Sequence, residues 1–354
     1  MIKCYEKDGV WYMMQLKQLL KKNVRKIYPS ATFSIVTPND IHVGCVGNTN
    51  IDKLYDLASL TKVIVTNTLI GFALEENKLS LDDKLSNYLL EYKYLDIIND
   101  IYSPITIKEL LTHRSALKVD NIKDELKELS KQGYDIASER CRQNLKNIKI
   151  DMNLIKIINN EIVKEVSYAN INFILLKELL EEIYDIPFNL LAKQKIFEPL
   201  NMESTHFNKI ADDIDTSKYA ETENTDYRGL VKGYVHDENA FFLGGVSGNA
   251  GLFSNIKDIS KFVQMILNNG RVDNKKFLSK KIIDNWFRPY NNKRTLGWEY
   301  YDNNIIKHTG FTGTCIFINR NKNIALVILT NRINYDSENE KIYDLFDEIY
   351  KLYS

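Results

Sequence analysis

Cysteine is sparse in this chain, and the four present, Cys4, Cys45, Cys141 and Cys315, stand far apart with no Cys-x-x-Cys pair and no histidine at metal-ligand spacing. They read as reduced packing residues, and neither a metal nor a cofactor is expected. A surplus of charge is lacking too. Forty-seven basic and 47 acidic residues cancel, so no global field favours nucleic acid or an anionic membrane, and basic runs such as Lys21-Lys22 read as solvated helix faces. Long apolar runs are missing as well. Lys7, Asp8 and Lys17 break up Val10-Trp11-Tyr12-Met13-Met14, which leaves no signal-peptide core before Ser30 and no bilayer-spanning segment anywhere. A cytoplasmic protein with no membrane span is expected. There is no internal repeat, no low-complexity linker, and no Gly-x-Ser-x-Gly elbow, because the pattern around Ser247 fails at Asn249.

What remains is a globular chain of 354 residues, 44% hydrophobic, long enough for a large core. Its default partner is a small molecule. Helical spacing runs from about Trp11 to Ile27, and Tyr28-Pro29 ends it. Thr32 to Val36 and Ile41 to Val46 read as strands around a turn at Pro38-Asn39-Asp40. Leu57 to Leu74 is apolar on nearly every face and predicts a buried central helix, with Asp56 as its cap. The middle of the chain reads as helices at 106–111, 171–184 and 187–197 with little strand pattern. After the glycine-rich run 243–251, a helix is expected from Ile256 to Leu267. Strands at 296–301, 305–309, 314–318 and 324–329 then form an antiparallel meander, closed by a helix from Glu338 to Leu352. Strands at both ends with helices between predict an α+β fold. Residues 1–75 and 241–354 would form an α/β sandwich around an inserted, mainly helical domain at 76–240.

Three fragments suggest acyl-transfer chemistry. A serine hydroxyl is a poor nucleophile until a base takes its proton, and in Ser59-Leu60-Thr61-Lys62 the helical spacing puts the Lys62 amine over Ser59. Ser59 at a helix N-terminus also has free backbone N–H groups beside it. In Tyr168-Ala169-Asn170, Tyr168 can carry a second proton and Asn170 can orient the lysine or a substrate carbonyl. In His308-Thr309-Gly310, alternate residues share a face, so a bare Gly310 leaves room for a substrate along the strand, and the N–H of Phe311 could join that of Ser59 in an oxyanion hole. Each fragment alone has a plainer reading: a serine cap with a snorkelling lysine, a tyrosine and asparagine at a helix entrance, a strand ending in a glycine turn. Ser-x-x-Lys also occurs at Ser115 and Ser254. The order, spacing and local structure of the three together carry the argument.

With these elements in this order, the chain resembles the serine β-lactamase and penicillin-binding protein superfamily, in its class C β-lactamase-like branch of esterases and D-peptidases. Leu110-Leu111-Thr112-His113-Arg114-Ser115-Ala116-Leu117, the stretch from Val235 to Ser254, and the final hairpin from His308 to Arg332 are similar to family segments. Arg114, Ala116 and Asn249 depart from the usual residues. The resemblance implies a β-lactamase-like fold, with Ser59 as acylated nucleophile, Lys62 and Tyr168 as the proton-transfer pair, Asn170 as a substrate-orienting amide and His308-Thr309-Gly310 as the substrate-binding strand. It also implies a serine hydrolase acting on an ester, amide or peptide, as an esterase or D-amino-acid peptidase. Relatives that recognise penicillin usually carry lysine where His308 stands, so efficient β-lactam hydrolysis is less expected. His308 is expected to titrate near neutrality and to bind anionic substrates better below about pH 6.5. The alternatives are a true β-lactamase and a non-catalytic protein that acylates without turnover. His236-Asp237-Glu238 lacks a partner at metal-ligand spacing and is not read as a metal site.

Overall fold

The computed structural model describes residues 3–88, 105–115, 117–119, 157–159, 167–210, 212–226, 228–334 and 340–354. The expectation that 118–165 forms part of the pocket rim therefore falls almost wholly outside the described residues.

Six strands form one antiparallel sheet. They are β1 (Ser30–Val36), β2 (Ile41–Gly47), β3 (Glu299–Asp302), β4 (Ile305–Gly310), β5 (Thr314–Asn319) and β6 (Ile324–Thr330), in the order β3-β4-β5-β6-β1-β2. The two termini meet at its centre, where Phe33 lies opposite Ile328. Side chains alternate across the pleat, so each inner strand feeds two cores. Cys315, Phe317, Leu326 and Ile328 pack with Leu16 and Leu20 of α1 (Lys3–Asn23) and with Phe346, Ile349 and Tyr350 of the closing helix α5 (Lys341–Tyr353). Ile316, Ile318, Val327 and Leu329 face the larger core on the other side. That core contains α4 (Ile256–Leu267), which begins where expected, with the Asn255 side chain accepting the Asp258 N–H at its N-terminus.

The central helix is buried as its composition requires: Val63, Ile64, Val65 and Leu69 have no exposed surface. It is not a uniform α-helix. Lys62–Thr66 form a π turn that continues into α2 (Asn67–Glu75), a wide turn of the kind that collects at functional sites. Against it packs α3 (Asn170–Tyr184), with Phe173, Ile174 and Leu176 buried in the same core.

Short strands also form where the sequence pattern suggested none, some of them in the stretch read as helical. Tyr55–Asp56, Leu252–Ser254 and His206–Phe207 pair in a small antiparallel sheet, and Glu221–Thr225 pairs with Gly229–Lys232. Runs this short carry no legible period, and long-range pairing decides them. No described helix is long and apolar enough to cross a membrane. Cys45 and Cys315 are free thiols, as expected of packing residues.

Candidate active site

Ser59 lies on a constrained turn between the small sheet and the central helix. Asp56 was expected to cap that helix. Instead its buried carboxylate accepts the Ala58 N–H at 2.8 Å and the His236 N–H at 2.7 Å, closing the turn and tying it to a distant segment. Burial pushes this carboxyl up, and the two N–H donors offset part of that shift. Ala58 has φ +46°, a left-handed conformation that costs a residue with a Cβ about 1–2 kcal/mol. The surroundings hold it there. Leu57 N–H donates to Leu252 O at 2.9 Å, while the Thr312 and Thr314 hydroxyls donate to the carbonyls of Asp56 and Leu57 at 2.7 and 3.1 Å. The half-buried serine that follows is positioned by hydrogen bonds with three separate segments, two through backbone groups and one through the threonine hydroxyls.

Lys62 reaches back from the next turn of the helix, as its spacing predicts. It is fully buried, and its Nζ lies 2.8 Å from Ser59 Oγ, 3.0 Å from Asn170 Oδ1 and 3.0 Å from the Asn249 carbonyl. An ammonium can donate to all three. A neutral amine can donate to the two amide oxygens and keep its lone pair for the serine proton.

Asn170 opens α3, with its Oδ1 accepting from Lys62 and its Nδ2 donating to Asp237 Oδ2 at 3.2 Å. Its oxygen therefore faces the lysine amine. Tyr168 is 45% exposed, and its ring centroid lies 5.0 Å from Lys62 Nζ. That contact runs through the ring face, whereas a proton carrier needs its hydroxyl in reach, a geometry that can tighten when substrate binds. The ring rests on His113, with centroids 4.5 Å apart, and Arg294 Cζ lies 5.3 Å from its centroid.

The strand residues fall on β4 as expected, with corrections of detail. His308 is buried, and its Nδ1–H donates to Thr309 O at 2.9 Å, which leaves Nε2 as a bare acceptor with no partner among the described residues. Burial, followed by the nearby charges of Arg294 and Lys62, holds its pKa well below the ordinary histidine range. It does not titrate near neutrality, which overturns the expected pH switch. Gly310 is bare for a different reason from the one expected: a Cβ there would lie 2.2 Å from Thr314 Oγ1 and 2.5 Å from Leu57 O. The room is taken by Thr314 and by the turn that carries Ser59. Thr309, half-buried, alternates to the other face of the strand. Phe311 is 48% exposed. Its ring stacks on His236 at 5.6 Å, and its N–H follows directly on the point where β4 touches the Ser59 turn.

The site also contains residues that sequence reasoning did not select. Asp237 joins Asn170 to Asn249, with Oδ1 accepting from Asn249 Nδ2 at 3.0 Å. His113 accepts the Ala169 N–H at 3.2 Å and supports the tyrosine ring from below. Burial, then the charges of Arg294, Lys62 and His308, keep its pKa well below the usual value. Arg294 brings a guanidinium beside Tyr168, close enough to act on both histidines. Asp237 and His113 lie in segments noted for their family likeness, whereas Arg294 stands in a stretch with no periodic signal.

Residues 18–347 match the Beta-lactamase family. An N-acetylmuramyl-L-alanine amidase of Bacillus subtilis (strain 168) is 27% identical over 310 residues, 79% of this chain and 68% of that protein. A protein of Salmonella agona (strain SL483) named "Putative D-alanyl-D-alanine carboxypeptidase" is 27% identical over 323 residues, 82% of this chain and 72% of its own length. The octameric penicillin-binding protein homologue from Pyrococcus abyssi shares the fold, with a TM-score of 0.67 at 19% identity over 98% of this chain and 78% of that one. The family match extends over both halves of the sheet, the central helix and every segment that meets at Ser59, and the chain therefore belongs to the Beta-lactamase family and is a serine hydrolase.

Proposed function

We propose that this hydrolase cleaves an amide or ester of a small peptide-like substrate carrying a carboxylate, of the D-amino-acid peptide type, through an acyl-enzyme on Ser59. The observation that carries the reading is the buried Lys62 Nζ 2.8 Å from Ser59 Oγ. In its neutral form the amine takes the serine proton, Oγ attacks the substrate carbonyl carbon, and the N–H groups of Ser59 and Phe311 receive the developing oxyanion. The leaving amine or alcohol departs with a proton passed through Lys62 and Tyr168. Water then hydrolyses the acyl ester, releases the acid and restores Ser59.

A carboxylate-bearing substrate is favoured by Arg294. The strand carries neutral His308 where a lysine would supply a fixed charge, and the Arg294 guanidinium supplies one from a neighbouring segment. The named relatives, an amidase and a carboxypeptidase of D-alanyl peptides, support an amide substrate. The test compares a D-alanyl-D-alanine peptide, its C-terminal amide and a p-nitrophenyl ester on the native protein and on Ser59→Ala. The free carboxylate should be preferred over the amide, and Ser59→Ala should lose on the order of 10⁶ in kcat. Intact ester hydrolysis by that variant would end the assignment.

A further inference from the structure

We infer that Asp237 is a positioning residue for acylation: its carboxylate fixes which atom of Asn170 faces Lys62, and so directs the lysine amine to Ser59. The inference rests on the Ser59–Lys62 reading above and extends it to a group that touches neither residue.

A side-chain amide can present its oxygen or its NH2 to a neighbour, and its partners decide which. A carboxylate only accepts. Asp237 Oδ2 accepts from Asn170 Nδ2 at 3.2 Å, and Oδ1 accepts from Asn249 Nδ2 at 3.0 Å. Both amides must therefore turn their NH2 groups toward Asp237. The consequence for Asn170 is that Oδ1 points at Lys62, 3.0 Å from Nζ. For Asn249 it is that Oδ1 accepts the Ser247 hydroxyl at 2.7 Å, pinning the segment whose backbone carbonyl is the other acceptor of Lys62. If Asn170 were reversed, its NH2 would face the amine. Two donors would then oppose each other, unless the lone pair of the neutral amine turned to meet the amide. A lone pair spent there is not available to the Ser59 hydroxyl.

Asp237 also caps the short helix Glu238–Phe242, with Oδ1 accepting the Ala240 N–H at 2.9 Å. A cap alone needs one oxygen and makes no use of the bond from Oδ2 to Asn170. The two roles can therefore be separated.

Asp237→Ser keeps a good capping oxygen but cannot accept from both amides. Asp237→Asn keeps cap and shape but faces an amide with an NH2. The assays are kcat and KM on a p-nitrophenyl ester, the rate of Ser59 labelling by a fluorophosphonate, and the thermal midpoint. Both single variants should lose about 10²-fold in kcat and in labelling rate, the scale of a mispositioned catalytic group, with KM within about twofold. Native kcat in Asp237→Asn would overturn the inference, as would a loss in kcat that only follows the fall in thermal midpoint or is matched by a rise in KM. Ser59→Ala run alongside separates the two readings. Residual hydrolysis by Ser59→Ala defeats the acyl-enzyme itself, whereas an inert Ser59→Ala beside a fully active Asp237→Asn defeats only the role given to Asp237.

Discussion

Gly310→Ala tests whether the glycine of β4 seats the nucleophile turn. The added methyl would lie 2.2 Å from Thr314 Oγ1 and 2.5 Å from Leu57 O. Thr314 can rotate, but it would then give up its bond to Leu57 O, one of the ties that hold the turn. Leu57 O is backbone, and restoring ordinary contact at 3.4 Å requires a shift of about 0.9 Å in the chain two residues before Ser59. Overpacking of this kind costs about 1–3 kcal/mol, a fall of roughly 1–4 °C in the thermal midpoint of a chain this long. A catalytic group displaced by about 1 Å loses about 10²-fold in rate, so kcat/KM on a p-nitrophenyl ester should fall by that factor. Gly244→Ala provides the control. Its φ of +83° makes alanine strained, yet nothing lies within 4 Å of the new methyl, so it should lose stability and keep kcat. Adding Thr314→Ala to Gly310→Ala removes the nearer clash but leaves the backbone one, and should not restore activity. Native kcat/KM and thermal midpoint in Gly310→Ala would refute the seating role.

Two further perturbations follow from the charges around Tyr168. Arg294→Ala should raise KM for a peptide with a free carboxylate by about 10–100-fold, the scale of a lost hydrogen bond to a charged group, while a neutral ester is hydrolysed as before; an equal effect on both substrates would argue against carboxylate recognition. His113 and His308 both have pKa values held well below 6.5 in the folded protein, so as pH falls below about 6.5 the unfolded chain binds protons that the folded one refuses. Stability is then full above that pH and falls as pH drops toward the folded values, by up to about 1.4 kcal/mol per pH unit for each histidine. Thermal midpoints measured across this range should be less steep in His308→Gln, and an unchanged slope would show that His308 is not buried neutral.

Legibility in the sequence follows the range of the forces involved. The strands of the final meander and α4 could be read from periodicity because each answers to one local rule, alternation or a cap followed by an amphipathic run. Ser59 and Lys62 could be paired because their contact is helical, three residues apart. Asn170 could be brought in by motif order. Asp237 could not be read this way, since its two amide partners lie 67 and 12 residues away in the chain and nothing in the triplet His236-Asp237-Glu238 encodes them. The role of Gly310 was misjudged for a related reason: a glycine in a strand signals that something comes close, but not whether it is a substrate or the protein's own backbone. His308 was assigned its solution pKa because burial and the cation of Arg294 are tertiary facts.

The charge arrangement has its own physical logic. Arg294 and Lys62 both depress the pKa of His308, so both fields are felt at that strand position. A lysine at this buried position would be a third cation beside the two, and removing a charge from water without a counterion is costly. A neutral imidazole avoids that cost, and donating Nδ1–H to its own strand fixes Nε2 as an acceptor. The positive charge that would recognise an anionic substrate then comes from the half-buried guanidinium of Arg294, which presents a planar fork suited to a carboxylate and stays charged at every working pH. Histidine on the strand and arginine beside Tyr168 are therefore one solution with two parts, since the neutrality of the first makes the fixed charge of the second tolerable so close to Lys62.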